Sequence, residues 1–252
     1  MGNLSKPESE AHEDYNPIQA FESAAITFLN QNLYVSAACI FVNIVEINPE
    51  NSMAWYGLAN SLYCLAGKEG DLSILELSMS CVYRSLEEDN TNSMAAELSD
   101  WIINNTPLHP DVYSDCSPFN EDPKLILNQV GFTRECVAND FTRLESWQER
   151  MQIVMWLYDI NEPYYADILI KALNDLHNDV KMAALKRIGP FGNQSEIRDK
   201  LENMLITEEF INIEPYFSIA LGNIYRNADD SYEWVETLSQ KLDEINRKYS
   251  EG

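Results

Sequence analysis

Residues 21–29 read FESAAITFL, and residues 55–63 read WYGLANSLY. Phe21, Ala24, Ala25 and Phe28 stand at i, i+3, i+4 and i+7, the spacing that puts side chains on one face of an α-helix; strands would alternate instead. Trp55, Leu58, Ala59 and Leu62 repeat the same order of large and small residues 34 positions later. Each segment is followed by a second helical pattern. Ala37, Ala38, Phe41 and Val45 come after the turn-like Asn30-Gln31-Asn32 and end near Pro49, which cannot continue a helix. Ser78, Val82 and Leu86 form the second such pattern and end in Glu88-Asp89-Asn90-Thr91-Asn92. A recurring pair of amphipathic helices predicts an all-α fold, a helical-repeat solenoid in which each unit buries its apolar face on the next.

The order of residues in these pairs resembles the tetratricopeptide repeat. Phe21 stands at its tryptophan position, Ala25 at its glycine, Phe28 at its tyrosine, Ala37 at its close-packing alanine, Phe41 at its second aromatic and Pro49 at its closing proline. The second unit departs in two ways. Asn90 replaces the proline, and about seven extra residues around Gly67–Asp71 are expected to lengthen the turn between its helices. A helix near Met94–Ile103 is expected to cap the two units. The resemblance implies a concave groove lined by the first helix of each pair: Gln19, Glu22, Ile26 and Leu29, then Met53, Tyr56, Asn60 and Tyr63. Tyr56, Asn60 and Tyr63 would combine contact area with hydrogen bonding in a partner-binding stripe, or the two tyrosines would simply pack on the next helix. The groove lacks the lysine and arginine clamp of relatives that bind peptide carboxylates, which disfavours a chaperone-tail receptor.

Residues 104–124 interrupt the periodicity with Pro107, Pro110, Pro118 and Pro123 and form a candidate boundary. Beyond it, Met151, Val154, Leu157 and Tyr158 restore helical spacing, and residues 173–193 resemble a HEAT repeat of the short bacterial kind. There Asp179 can cap a helix, Val180, Ala183, Ala184 and Ile188 can face the stack, and Gly189 can supply a left-handed C-cap. Lys181, Lys186 and Arg187 form a basic cluster on that helix, read as an internal ladder of ion pairs or as a partner contact. Trp147, Val180 and Ile213 recur at 33-residue steps, and later helices are expected after Ser195, around Tyr216–Tyr225 and around Trp234–Tyr249. The predicted organisation is a flexible acidic arm over 1–16, tetratricopeptide-like helices over 17–103, a proline-rich connection over 104–124 and HEAT-like helices over 125–252.

With 41 acidic and 17 basic residues the chain carries a formal charge of −24, spread along its whole length. Such a surface repels phosphate backbones and anionic membranes, so neither nucleic acid nor membrane is an expected partner. Diffuse acidity reads first as a solubility surface and second as a docking face for a basic protein. The five cysteines Cys39, Cys64, Cys81, Cys116 and Cys136 show no CxxC pair and no histidines at ligand spacing, which points to free thiols in a reducing cytoplasm. Lys6 stands where a myristoylation signal after Gly2 requires Ser or Thr. No phosphate loop, GxSxG elbow, HExxH or calcium loop is present, and His177, between Asp175 and Asp179, reads as a turn residue. No catalytic, cofactor or metal site is therefore expected. The expectation is a bacterial, cytoplasmic, non-enzymatic scaffold that binds a protein through its concave surface, with Tyr56, Asn60, Tyr63, Lys181 and Lys186 as partner-binding residues. Two alternatives stand beside it: an acidic immunity or inhibitor protein neutralising a basic toxin or nuclease, and, from the HEAT resemblance alone, a chromophore lyase.

Overall fold

A computed structural model describes residues 16–106, 113, 115–159 and 162–191, with isolated positions beyond. Among the described residues the chain is all-α, with ten α-helices and no strand. The helices are α1 (Pro17–Asn30), α2 (Tyr34–Ile47), α3 (Ser52–Glu69), α4 (Leu72–Glu88), α5 (Ser93–Asn105), α6 (Lys124–Gln129), α7 (Arg134–Arg143), α8 (Trp147–Trp156), α9 (Pro163–Leu173) and α10 (Asn178–Arg187). The expected arm over 1–16 lies, apart from Asn16, outside the described residues. So do the later helices expected around Ile197–Leu205, Tyr216–Tyr225 and Trp234–Tyr249, apart from isolated positions.

Side-chain caps set where several helices begin. Asn16, Asn51 and Asn92 cap α1, α3 and α5 by accepting from backbone N–H groups of the first turn, and Asp71 and Ser146 do the same for α4 and α8. Asn32 takes a left-handed φ of 60° in the turn between α1 and α2, a conformation that asparagine tolerates better than most residues. The expected long turn after α3 does not form. Gly70, at φ 71°, ends α3, and Asp71 caps α4 immediately afterwards, so the extra residues extend the two helices. In α10 the cap is His177, whose Nδ1 accepts from the Asp179 N–H at 3.3 Å, while Asp179 sits in the first turn. Gly189 opens a 3-10 turn without a left-handed φ, because Ile188 remains right-handed at the end of α10.

Adjacent helices pack as pairs, α1 on α2 and α3 on α4, with α2 also against α3 and α5 closing the α3–α4 pair. The second group builds from α7 on α9 and α8 on α10. It does not continue beyond α5. Instead α8 packs on α1, and α6 and α7 pack on α2, so the first pair of the chain lies in the middle of the fold. This is why α2 is buried without interruption from Ser36 to Val45; a helix apolar on all sides needs neighbours on all sides. The connection from α5 reaches its new position over α4. Tyr83 donates to the Tyr113 carbonyl, the Phe119 N–H donates to the Ser80 carbonyl at 3.1 Å, and Arg84 donates to Asn120.

Polar contacts lock the two groups together. Ser36 Oγ donates to the Asp140 carboxylate at 2.7 Å, and the buried Asn43 amide donates to the Tyr164 hydroxyl at 2.8 Å. One cluster of buried apolar residues runs from Phe21 through Ile40, Leu62, Phe141 and Tyr165 to Ile188. Each fully buried Phe, Ile or Leu in it contributes roughly 1.5–3 kcal/mol over its exposed state.

Candidate functional site: a cleft across three helices

The buried faces of α1 and α3 carry Phe21, Ala24, Ala25 and Phe28, and Trp55, Leu58, Ala59 and Leu62. Their opposite faces are left open. With a period of 3.6 residues, Glu22, Ile26 and Leu29 share one side of α1, and Met53, Tyr56, Asn60 and Tyr63 share one side of α3. Between them lies a cleft of about 460 Å³, lined by Glu22, Ile26 and Leu29 from α1, Met53, Tyr56 and Asn60 from α3, and Met94 from α5. Its floor is the Phe41 ring against Gly57, where a Cβ would lie 2.3 Å from the ring. Ile26, Met53 and Met94 are each close to half exposed.

The walls are held by polar contacts. Asn51 caps α3 through its Oδ1, 3.0 Å from the Ala54 nitrogen, and donates its amide to Glu22 Oε1 at 3.1 Å. The carboxylate of Glu22 is thus fixed by a neutral donor. At the other wall, Asn92 caps α5 and donates to Ser52 Oγ at 2.8 Å and to Ser85 Oγ at 3.1 Å. This buried knot ties the starts of α3 and α5 to the end of α4, and so sets the spacing between Met53 and Met94. Among the described residues, Asn60 receives only a long thiol contact from Cys64, at 3.9 Å on its carbonyl, and its amide N–H groups have no partner. Burial first, then the Cys64 thiol and the Glu97 carboxylate, push the Tyr56 phenol above its ordinary value. Glu97 follows the lining residue Met94 by three residues on α5 and so shares its side of the helix.

Of the residues expected to contact a partner, Tyr56 and Asn60 line the cleft. Tyr63 lies farther along the same side of α3 and is half-buried; its hydroxyl accepts from Trp101 Nε1 at 2.7 Å. Both tyrosines pack on the core with part of the ring open. Lys181 and Lys186 lie on α10, away from this lining. Lys181 is 8% exposed, which places it inside the fold rather than on a surface a partner reaches; Lys186 is exposed.

Sequence reasoning took α5 as a cap and missed what it adds to the cleft. Met94 lines it, and Trp101, 55% exposed, extends the same side beyond Tyr63. A signal was present, because Asn51-Ser52-Met53-Ala54 recurs as Asn92-Ser93-Met94-Ala95. Lengthening of α3 and α4 displaced the recurrence from the 34-residue interval.

Elsewhere, Trp147 stacks on His177 with ring centroids 3.9 Å apart, and Arg150 clamps Asp175 from Nε at 2.6 Å. With its Nδ1 committed to the helix cap, His177 serves the α9–α10 turn. No group of three metal-ligating side chains occurs among the described residues, and none of their helices is long and apolar enough to cross a membrane. Compared with known proteins, the chain matches no family model, no curated protein and no solved structure.

Proposed function

We propose that this chain is a non-enzymatic binding module of a reducing cytoplasm that receives a segment of a protein partner in the cleft between α1, α3 and α5. What carries the reading is one coincidence of sequence and placement. Glu22, Ile26, Leu29, Met53, Tyr56 and Asn60, the positions marked by the likeness to tetratricopeptide repeats, line the same cleft. Its chemistry suits a polypeptide. Covering the open halves of Ile26, Met53 and Met94 would contribute on the order of 1 kcal/mol each. The unused Asn60 amide offers donors to a main-chain carbonyl, which a bound segment supplies whatever its sequence.

The reading is tested by a photo-crosslinking amino acid placed at Asn60 in cells, with the exposed Glu76 on α4 as control. Discrete protein adducts at position 60 and none at position 76 are expected. Equal labelling at both positions, or none at position 60, refutes the cleft as a binding site.

A further inference from the structure

We infer that the segment taken by this cleft is basic as well as apolar, with Lys or Arg interleaved among Leu, Met or Phe. The inference rests on the cleft being a protein-binding site and specifies its occupant. The apolar half follows from the lining: Ile26, Met53 and Met94 present open hydrocarbon between α1, α3 and α5. The charge follows from what surrounds them. Helices α1 and α5 contain no Lys or Arg, and the single basic residue of α3 is Lys68, in its last turn and five residues beyond Tyr63, which puts it off that face. Among the described residues, Glu22 on α1 and Glu97 on α5 have no cation paired to them.

Elsewhere in the described fold several acids are matched by cations, while others, Glu76 and Glu145 among them, stay exposed without one. Arg84 pairs with Glu87 and Glu88, Lys124 with Glu46 and Glu162, Arg143 with Asp140, and Arg150 with Asp175. What sets the cleft apart is that its unpaired carboxylates border open hydrocarbon on helices that carry no Lys or Arg of their own. Trp101 strengthens the match, since it follows Glu97 by four residues on α5 and leaves more than half its surface open. A carboxylate one turn from an exposed indole suits an ammonium or guanidinium group, attracted by the charge on one side and by the ring face on the other. Two other occupants are disfavoured by the same electrostatics. The chain's own N-terminal residues include Glu8, Glu10, Glu13 and Asp14, and a second copy carries the same −24 charge.

The test is selection of a random peptide display library on the immobilised full-length chain. Parallel selection uses Asn60→Trp, which fills the cleft without changing its charge. Peptides enriched on the native chain and lost on N60W are expected to combine Lys or Arg with large apolar residues. Their affinities should fall by about fivefold or more in a Glu22→Gln/Glu97→Gln variant and decline steeply with salt. They should stay within about twofold in Glu76→Gln/Glu145→Gln, which removes the same charge at exposed sites off the cleft. Enriched peptides that are apolar but lack basic residues overturn the charge inference and leave the cleft reading standing. Basic peptides weakened equally by both double variants bind the diffuse acidic surface and also overturn it. Peptides that bind N60W as well as the native chain, or no enrichment at all, overturn the cleft reading itself.

Discussion

Asn92 shows how much of the cleft rests on single side chains. Its Oδ1 caps α5 at the Ala95 N–H, and its amide holds Ser52 and Ser85 in a site where all three are buried. Asn92→Ala removes the cap and the amide that joins the Ser52 and Ser85 hydroxyls to α5, though each hydroxyl keeps its bond to the other's backbone carbonyl. The expected loss is about 2 kcal/mol of stability, measurable by urea denaturation, with a variant of native stability arguing against the knot. Gly57 bears on the floor of the cleft. Alanine there would gain up to about 1 kcal/mol of helix propensity. Its Cβ would, however, lie 2.3 Å from the ring of the buried Phe41, and overpacking of this kind costs roughly 1–3 kcal/mol. The ring wins, so Gly57→Ala should lower the urea midpoint and weaken any ligand of the cleft. Residues at this scale were unevenly legible. Tyr56 and Asn60 are marked as groove positions by the resemblance to tetratricopeptide repeats, and helical period puts them on one side of α3. Nothing in the neighbourhood of Gly57 or Asn92 announced their partners, which come from other helices.

At the scale of the helix, local chemistry reads well and partners read poorly. The asparagine caps, Gly70 and the apolar stripes of α1 and α3 are sequence-local, and the helices follow them. The six-residue α6 has too few turns, and α7 too few apolar residues beyond Val137, Ala138 and Phe141, for periodicity to stand out, and both form where α2 offers apolar surface. The turn between α9 and α10 is held to α8 by Arg150. Burial pushes the Asp175 carboxyl upward, but the Arg150 guanidinium and the His177 backbone N–H outweigh it and hold the group below its ordinary value. A carboxylate depressed in the folded state stabilises the fold above its unfolded pKa, and that contribution fades as pH falls through the folded value. Asp175→Asn should therefore cost about 1–3 kcal/mol at neutral pH. The gap to the native chain should narrow progressively below the usual carboxylate range in thermal melts at stepped pH. A gap constant down to strongly acidic pH would show that the charge of Asp175 contributes nothing.

Among the described helices, the decisive fact is that the first helix pair sits between α3–α5 on one side and the second group on the other. Ser36 and Asn43 on α2 reach Asp140 and Tyr164 across more than a hundred residues of chain, and one core joins both groups. The described helices should therefore unfold as a single unit. Tryptophan fluorescence in a Trp234→Phe background, reporting from Trp55 and Trp101 in one group and Trp147 and Trp156 in the other, should trace the same denaturation curve as helical circular dichroism. Two separated transitions would show the groups to be independent. Tyr164→Phe, which strips the Asn43 amide of one acceptor, should shift that shared curve by about 1 kcal/mol. By itself the sequence determined the helical class, the pairing of successive helices and the buried faces of α1 and α3, since these depend on contacts a few residues apart. Tertiary structure alone decided that the chain doubles back over α4, that α2 is enclosed on all sides and that α5 completes the cleft. Each of these depends on which apolar surfaces meet across long separations, and helical periodicity records that a face will be buried without recording against what.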